Sequence, residues 1–274
     1  VDQQQHTIDK LLAKERQFSA SLEAKVRERT AALEAAQQRL IQSEKLAVIG
    51  QLASSLAHEL NNPMQAIQSG LGLVVDDLAD GNTSHARADI DVIQEELSRM
   101  QSIFTQMLDF YRPVRLTAVP MDMNAICEGV RVLMRKRLQE GGVHLEMNLA
   151  DNLPQTCGDS NQIKQILINL ILNAAEAMAP QRGTITLHTR CDDGWVAVRG
   201  EDDGPGITDD NQARLFEPLF TTKTRGLGLG LAISQDIATR HEGTLRVAST
   251  LNIGTTFTLE LPVKEHCDAE HTRS

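Results

Sequence analysis

Aromatic residues make up only 3% of this 274-residue chain, with one tryptophan, Trp195, and one tyrosine, Tyr111. That scarcity fits an aliphatic, helical core and says nothing about chemistry. No block of Lys and Arg occurs, and the formal net charge is -10. This argues against a nucleic-acid partner, whose phosphates need a basic surface. No apolar run approaches the ~18 residues that would signal a membrane span, and no signal peptide is visible. The four cysteines, Cys127, Cys157, Cys191 and Cys267, are scattered without a C-x-x-C pair. They read as reduced thiols of a cytosolic compartment, packing rather than binding metal. The loop G-x-x-x-x-G-K-[ST] is also missing. The chain starts at Val1 with a polar helical stretch instead of a methionine, as a fragment of a longer protein would. What is present, 41% hydrophobic and 23% charged residues, is the composition of a soluble globular protein with room for about two domains.

Around His58 the apolar residues Leu46, Ile49, Ala53, Leu56, Leu60, Met64, Ile67, Leu71, Val74 and Leu78 step by three and four, the buried stripe of one helix. His58 is two residues from both Leu56 and Leu60, so at ~100° per residue it is expected to face outward beside Glu59. An exposed imidazole next to a carboxylate can act as nucleophile or acid/base, or be simply a solvated side chain. Upstream, residues from about 11 to 45 lack Pro and Gly. Val26, Leu33, Leu40 and Ala47 form one heptad row, and Leu22, Arg29, Ala36 and Ser43 a weaker one. The pattern predicts a parallel two-stranded coiled coil running unbroken into the His58 helix, with a single solvated helix as the alternative. Pro63 should kink that helix or open a hydrogen bond. The segment Gly81-Asn82-Thr83-Ser84 makes a turn, and Ile90, Ile93, Leu97, Met100, Phe104, Met107 and Tyr111 mark a second helix. Such a hairpin has a thin core, so a homodimer forming a four-helix bundle is expected.

From Arg112 to Pro120 the pattern becomes extended and two prolines appear, which places a domain boundary there. Beyond it, helices are predicted at Met123–Gln139, Asn161–Met178 and Leu229–Arg240. Strands are predicted at Val143–Leu149, Thr184–Thr189, Trp195–Val198, Thr244–Ala248 and Thr255–Leu261, with a hairpin turn at Asp192-Asp193-Gly194. Helices on one side of the strands give a two-layer α/β sandwich. Three features of this domain carry chemistry. Asn169 and Asn173, four apart, share one face of a greasy helix, where they could hold hydrated Mg2+ and phosphate-linked water, or cap backbone elsewhere. Asp202-Asp203-Gly204-Pro205-Gly206 could offer a carboxylate to an exocyclic amine, or be an ordinary turn. Gly226-Leu227-Gly228-Leu229-Gly230 opens a helix whose N-terminus can cradle phosphate. Between the last two lies a lid segment, Phe216 to Lys223, whose lysine could reach a phosphate.

Taken together, these segments resemble a sensor histidine kinase of two-component signalling. The matching motifs are Ala57-His58-Glu59-Leu60-Asn61-Asn62-Pro63, Asn169 to Ala174, Asp202 to Ile207, Phe216 to Lys223 and Gly226 to Leu231, in family order over residues 45–262. The resemblance implies a signalling coiled coil (residues 1–45), a dimerisation and histidine-phosphotransfer hairpin (46–112), a linker (113–120), a Bergerat-type ATP-binding domain (121–263) and a polar tail (264–274). It implies ATP and Mg2+ as cofactors, His58 as phosphoacceptor and Glu59 as its base. It makes Asn62 the orienter of a water in phosphatase chemistry, Asn173 the Mg2+ ligand and Asn169 a phosphate support. Asp202, Gly204, Gly206 and Thr255 fall at the adenine end, and Lys223, Gly226, Gly228 and Gly230 at the phosphates. The implied partners are a second copy and the receiver domain of a separate response regulator, and the implied location is the cytoplasm, with any membrane attachment through a missing N-terminal region. One departure stands out: many members carry a basic residue or histidine where this chain has Glu176. Two rival readings are a catalytically silent dimeric signalling module and a Bergerat-type ATPase of the chaperone, topoisomerase or mismatch-repair kind. The second would lack the histidine hairpin.

Overall fold

The structure, a computed structural model, describes residues 14–19, 21–33, 36, 39–40, 43, 50, 53–111, 118–223, 226–264 and 267. Two compact units divide the chain, Val1–Ala53 and Ser54–Ser274. In the first, residues 14–19 and 21–33 are helical, and the seam residues Leu22, Val26 and Leu33 are exposed on the single chain. Ala47 and the expected join into the His58 helix lie outside the described residues. Among the described residues no helix is long and apolar enough to cross a membrane.

The hairpin consists of α1 (Ala53–Ala79) and α2 (Thr83–Tyr111). Its turn follows from Gly81, which at φ +79° adopts the left-handed conformation that closes a helix. The Asn82 N–H donates to the Asp77 carbonyl at 2.7 Å and the Gly81 N–H to that of Leu78 at 3.3 Å, the paired bonds of a Schellman cap. Between the helices Ile67, Val74, Ala86 and Ile93 form the seam. Gly70 lets the backbones close in, since a Cβ there would lie 3.0 Å from Ile93 Cγ1. Pro63 sits inside α1, fully buried, and the helix continues through it; its missing N–H leaves the Glu59 carbonyl without an intrahelical partner. The apolar stripe is only half covered. Met64, Leu71, Leu78, Ile90, Leu97 and Phe104 all remain exposed on one chain.

The second domain is built from α3 (Met123–Glu140), α4 (Ser160–Met178) and α6 (Gly230–Arg240) packed on one face of a sheet. Its strands are β2 (Val143–Asn148), β4 (Gly183–Asp192), β5 (Trp195–Asp202), β6 (Thr244–Thr250) and β7 (Gly254–Pro262). Their order is β2-β4-β5-β7-β6, with β2 and β4 parallel and the rest antiparallel. This is the expected two-layer sandwich. Alternation along β7 turns Thr255, Phe257, Leu259 and Leu261 inward against Ile163, Ile166 and Ile171 of α4 and its neighbours. The β4–β5 hairpin turns at Asp193 (φ +47°) and Gly194 (φ +79°), the pair of left-handed residues that a tight two-residue turn needs.

Several features differ from the sequence reading. A two-stranded sheet of β1 (Val119–Met121) and β3 (Thr156–Gly158) begins inside the segment read as linker, and a one-turn helix, α5 (Asp209–Gln212), follows β5. β5 runs on through Gly200 and Glu201 because both pair with β4 and β7. The four cysteines are not all thiols. Cys157 and Cys267 form a disulfide, with their Cα atoms 5.5 Å apart, bringing the tail back to β3. Sequence spacing carries no sign of that proximity. Cys127, wholly buried in α3, is a packing residue as expected, its thiol pushed up to about 12 by burial.

His241, which no pattern singled out, ties α6 to the start of α4. It is 3% exposed. Its Nδ1 lies 2.8 Å from the Ile237 carbonyl, and its Nε2 accepts the Asp159 N–H at 3.0 Å. Both contacts require the neutral ring with its proton on Nδ1, and burial accordingly holds the pKa below 6.5. A group with a depressed folded pKa contributes stability that is present above 6.5 and lost as pH falls through the folded value. The urea midpoint of the chain is therefore expected to drop on acidification below 6.5. His241→Gln should lower stability at neutral pH by about 1–3 kcal/mol and flatten that acid limb. An unchanged limb in the variant would assign the pH dependence elsewhere.

Candidate functional site

The site is built on the edge of α4 that does not face the sheet. Asp159 caps this helix by accepting the Asn161 N–H at 2.9 Å, and the burial of Ile163, Ile166, Leu167 and Ile171 fixes its rotation. Asn169 and Asn173 are thereby held toward a cavity of about 630 Å³, which Glu176 also lines. Hydrogen bonds set the orientation of both amides. Asn169 Nδ2 donates to Ser234 Oγ at 3.0 Å, and that hydroxyl donates to the Gly230 carbonyl at 3.0 Å. Asn173 Nδ2 points back to Asn169 Oδ1 at 3.5 Å, so Asn173 Oδ1 turns outward as an acceptor. The lid lysine meets it there. Lys223 Nζ is 2.7 Å from Asn173 Oδ1 and 2.6 Å from Glu176 Oε2.

Opposite α4, Leu227 and Leu229 are buried anchors that leave Gly226, Gly228 and Gly230 at the cavity wall. Gly228 has φ +64°, and a Cβ on it would come within 2.6 Å of the Leu219 carbonyl carbon and the Phe220 oxygen. Gly230 opens α6 so close to α4 that a Cβ would meet Asn169 Oδ1 at 2.5 Å. No side chain caps this helix, so its first-turn N–H groups and dipole are left for an anion at the cavity. The lid is folded against this loop: the Leu219 N–H donates to the Gly228 carbonyl at 2.9 Å, and the Arg214 guanidinium stacks 4.5 Å from the Phe220 ring centroid.

The far end of the cavity carries Asp202 and Thr255, facing residues of paired strands. Asp202 is the last residue of β5, not part of a loop after it. Burial pushes its carboxyl above the usual carboxylate range, opposed by N–H groups of Gly204 and Thr255; the bond from Gly204 is 3.0 Å. Gly206, at φ +73°, passes so near the Thr250 carbonyl that no side chain would fit. Ser249 locks this corner, accepting the Ile207 N–H at 2.8 Å, donating to the Gly254 carbonyl at 2.8 Å and lying 2.9 Å from Thr255 Oγ1.

One cavity thus gathers Asn169, Asn173, Asp202, Gly206, Lys223, Gly226, Gly228, Gly230 and Thr255, with Gly204 acting on Asp202 from behind. Arg99, Ser102 and Ile103 of α2 and Arg137 of α3 also line it, and sequence patterns flagged none of these four. On the hairpin, the His58 backbone lies within α1, and its side chain is outside the described residues. Asn62 is exposed one turn on. Glu59 is paired: Arg99 Nη2 lies 3.2 Å from its Oε2, while Arg99 Nη1 is 3.6 Å from Glu96. The Glu96–Arg99 spacing along α2 was a visible clue, but the bond across to α1 was not.

Residues 48–114 match the family model "His Kinase A (phospho-acceptor) domain", and residues 158–265 match "Histidine kinase-, DNA gyrase B-, and HSP90-like ATPase". The chain belongs to the sensor histidine kinases. It is 35% identical over 228 residues to the signal transduction histidine-protein kinase AtoS of Escherichia coli (strain K12), covering 83% of this chain and 37% of AtoS. It is 33% identical over 233 residues to sporulation kinase E of Bacillus subtilis (strain 168), covering 85% of this chain and 31% of that protein. It therefore spans about a third of the length of these curated relatives. Among solved structures, histidine kinase ThkA in complex with response regulator protein TrrA superposes with a TM-score of 0.68 at 26% identity, over 81% of this chain and 64% of that one. The second domain of this sensor histidine kinase is thus an ATP-binding domain, and the cavity is where its fold and glycine loop converge.

The loop geometry yields a direct test. Gly228→Ala forces a side chain into the Leu219–Phe220 backbone at a positive φ, an expected cost of about 1–3 kcal/mol. Thermal unfolding should register that loss, and fluorescent-nucleotide titration should show binding weakened beyond it. Binding that stays intact would detach this loop from the phosphate seat.

Proposed function

We propose that the chain is the catalytic core of an ATP-dependent protein-histidine kinase, acting as a homodimer, that phosphorylates His58 and passes the phosphoryl group to an aspartate of a separate response regulator. The observation that carries the reading is the cavity. It joins an uncapped helix N-terminus and glycine wall at one end to a buried carboxylate at the other, with an outward-turned amide oxygen between them. In this reading Asp202 accepts the exocyclic amine of adenine, with Thr255 beside it, and the N–H groups of α6 receive the phosphates. Gly206 and Gly226 keep those walls clear of side chains.

A divalent cation fits Asn173 Oδ1, a hard oxygen donor already met by a cationic group. Among the described residues no three His, Cys, Asp or Glu side chains form a cage, so nucleotide oxygens would supply further ligands. Bound there with Asn173, Mg2+ would neutralise charge developing on the phosphates. In the transfer, a bond forms between the γ-phosphorus and a ring nitrogen of His58 while the bond to the β–γ bridging oxygen breaks. ADP leaves with that electron pair, and the imidazole proton passes to Glu59. Arg99 holds Glu59 by Oε2 and so fixes where the carboxylate sits relative to α1.

The exposed residues Leu71, Leu78, Leu97 and Phe104 give a second copy an apolar face to cover, which supports the dimer. A receiver domain as partner is supported by the ThkA–TrrA complex. Asn62, exposed one turn beyond His58, is assigned to orienting water for dephosphorylation of that regulator. The proposed location is the cytoplasm, as part of a longer sensor.

Incubation with γ-labelled ATP tests the reading. The wild-type chain should acquire acid-labile label, and His58→Gln should acquire none; label that persists in the variant would remove His58 from its role. Asn62→Ala should retain autophosphorylation while slowing regulator dephosphorylation by about 10²-fold. Equal slowing of both reactions would mean that Asn62 serves structure instead.

A further inference from the structure

A carboxylate beside a polyphosphate seat is electrostatically misplaced unless a cation stands between them. Glu176 is in that position. It lies one turn beyond Asn173 on the same face of α4, and both line the cavity. The two side chains converge on one point, the ammonium of Lys223, 2.7 Å from Asn173 Oδ1 and 2.6 Å from Glu176 Oε2. Lys223 reaches that point from the lid, 50 and 47 residues away in sequence, so the fold has brought a distant cation onto two oxygens of one helix.

Resting on the nucleotide reading above, we propose that Glu176 is a cation-directing residue of this site and that Lys223 and the divalent ion of a metal–nucleotide complex compete for the same two oxygens, those of Asn173 and Glu176. A bound Mg2+ would be held by the hard oxygen of Asn173, with Glu176 supplying negative charge to the ion or to its bound water. The carboxylate then offsets the ion's charge, and the displaced lysine is free to turn to the phosphates. The exchange is easy because the pair is solvated: Lys223 is 37% and Glu176 49% exposed, and exposed ion pairs contribute little stability. A basic side chain at position 176 would repel the ion; this chain uses a carboxylate there and supplies the positive charge from the lid. Lid release is thereby coupled to arrival of the metal.

The test uses the whole chain with Mn2+ as probe, read by its electron paramagnetic resonance at saturating ADP, and a fluorescent nucleotide titrated in EDTA. Glu176→Gln is expected to weaken Mn2+ binding about tenfold. The same variant should bind nucleotide in EDTA as well as wild type or better, because a repulsive charge has gone. Lys223→Met, which removes the competitor, is expected to tighten Mn2+ binding. Mn2+ affinity unchanged in both variants would overturn the proposal. So would a Glu176→Gln defect of equal size with and without metal, which would mark Glu176 as structural; unchanged thermal midpoints guard against misfolding. If the wild-type chain binds no nucleotide in either condition, the parent reading falls and this one with it.

Discussion

The fixed rotation of α4 is the constraint on which the site depends. One face of the helix must be buried against the sheet, where Ile163, Ile166 and Ile171 are almost inaccessible, and that leaves a single edge for polar groups. Asn169, Asn173 and Glu176 occupy this edge at helical spacing, so hydrophobic burial positions three cavity-lining polar side chains at once. The helix is also pinned at two points. At its start, the Asp159 cap is held by the buried ring of His241, which belongs to the end of α6. At its middle, Asn169 is bonded to Ser234 in the first turns of α6, under the glycine loop. The anion-facing end of α6 and the amide-bearing edge of α4 are therefore locked in register by two polar contacts and a shared core. A loop could not hold them so closely.

Legibility in the sequence followed the range of the interactions. Local patterns were readable: the apolar stripes of the hairpin, the Asn169–Asn173 step, the alternating glycines and leucines, and the Asp193–Gly194 turn all encode structure within a few residues. What was not readable depended on distant partners. β1 and β3 are three residues each, too short for periodicity, and exist because they pair with one another. The strand pattern ends at Val198, yet pairing with two neighbouring strands carries β5 on through Gly200 and Glu201 to Asp202. Arg99 and Ser234 within helices, and His241 just past the end of α6, are unremarked residues until the fold supplies Glu59, Asn169 and Asp159 as their partners. The Cys157–Cys267 contact is hidden for the same reason, since 110 residues separate the pair.

The hairpin obeys a different economy from the ATP-binding domain. Its seam of Ile67, Val74, Ala86 and Ile93 is thin, and much of its apolar surface stays open on one chain. Pro63 is buried within α1 where it removes one backbone hydrogen bond close to His58, so the segment bearing the histidine is less tied to itself than the rest of the helix. Glu59, immediately after the histidine, is tied instead to α2 through Arg99. Arg99 also lines the cavity, so the side chain that holds the proposed base stands at the wall of the proposed phosphoryl-donor site. One guanidinium is thus shared by the hairpin and the cavity wall.

A net charge of -10 looks unfavourable for a protein that must hold a polyphosphate. The structure answers by localising positive potential where it is needed. The N-terminus of α6 contributes N–H groups that no side chain caps, and among the described residues Arg99, Arg137 and Lys223 are the cationic side chains lining the cavity. Two of these are already engaged by carboxylates: Arg99 with Glu59 and Glu96, and Lys223 with Glu176. Carboxylates therefore already share the positive charge at the cavity, and an anion bound there would meet it partly neutralised. Excess negative charge elsewhere costs the site little, because at physiological ionic strength exposed charges beyond about 8 Å are largely screened. Function depends on the balance within one helix edge and one glycine loop, and the total charge of the chain is a poor guide to it.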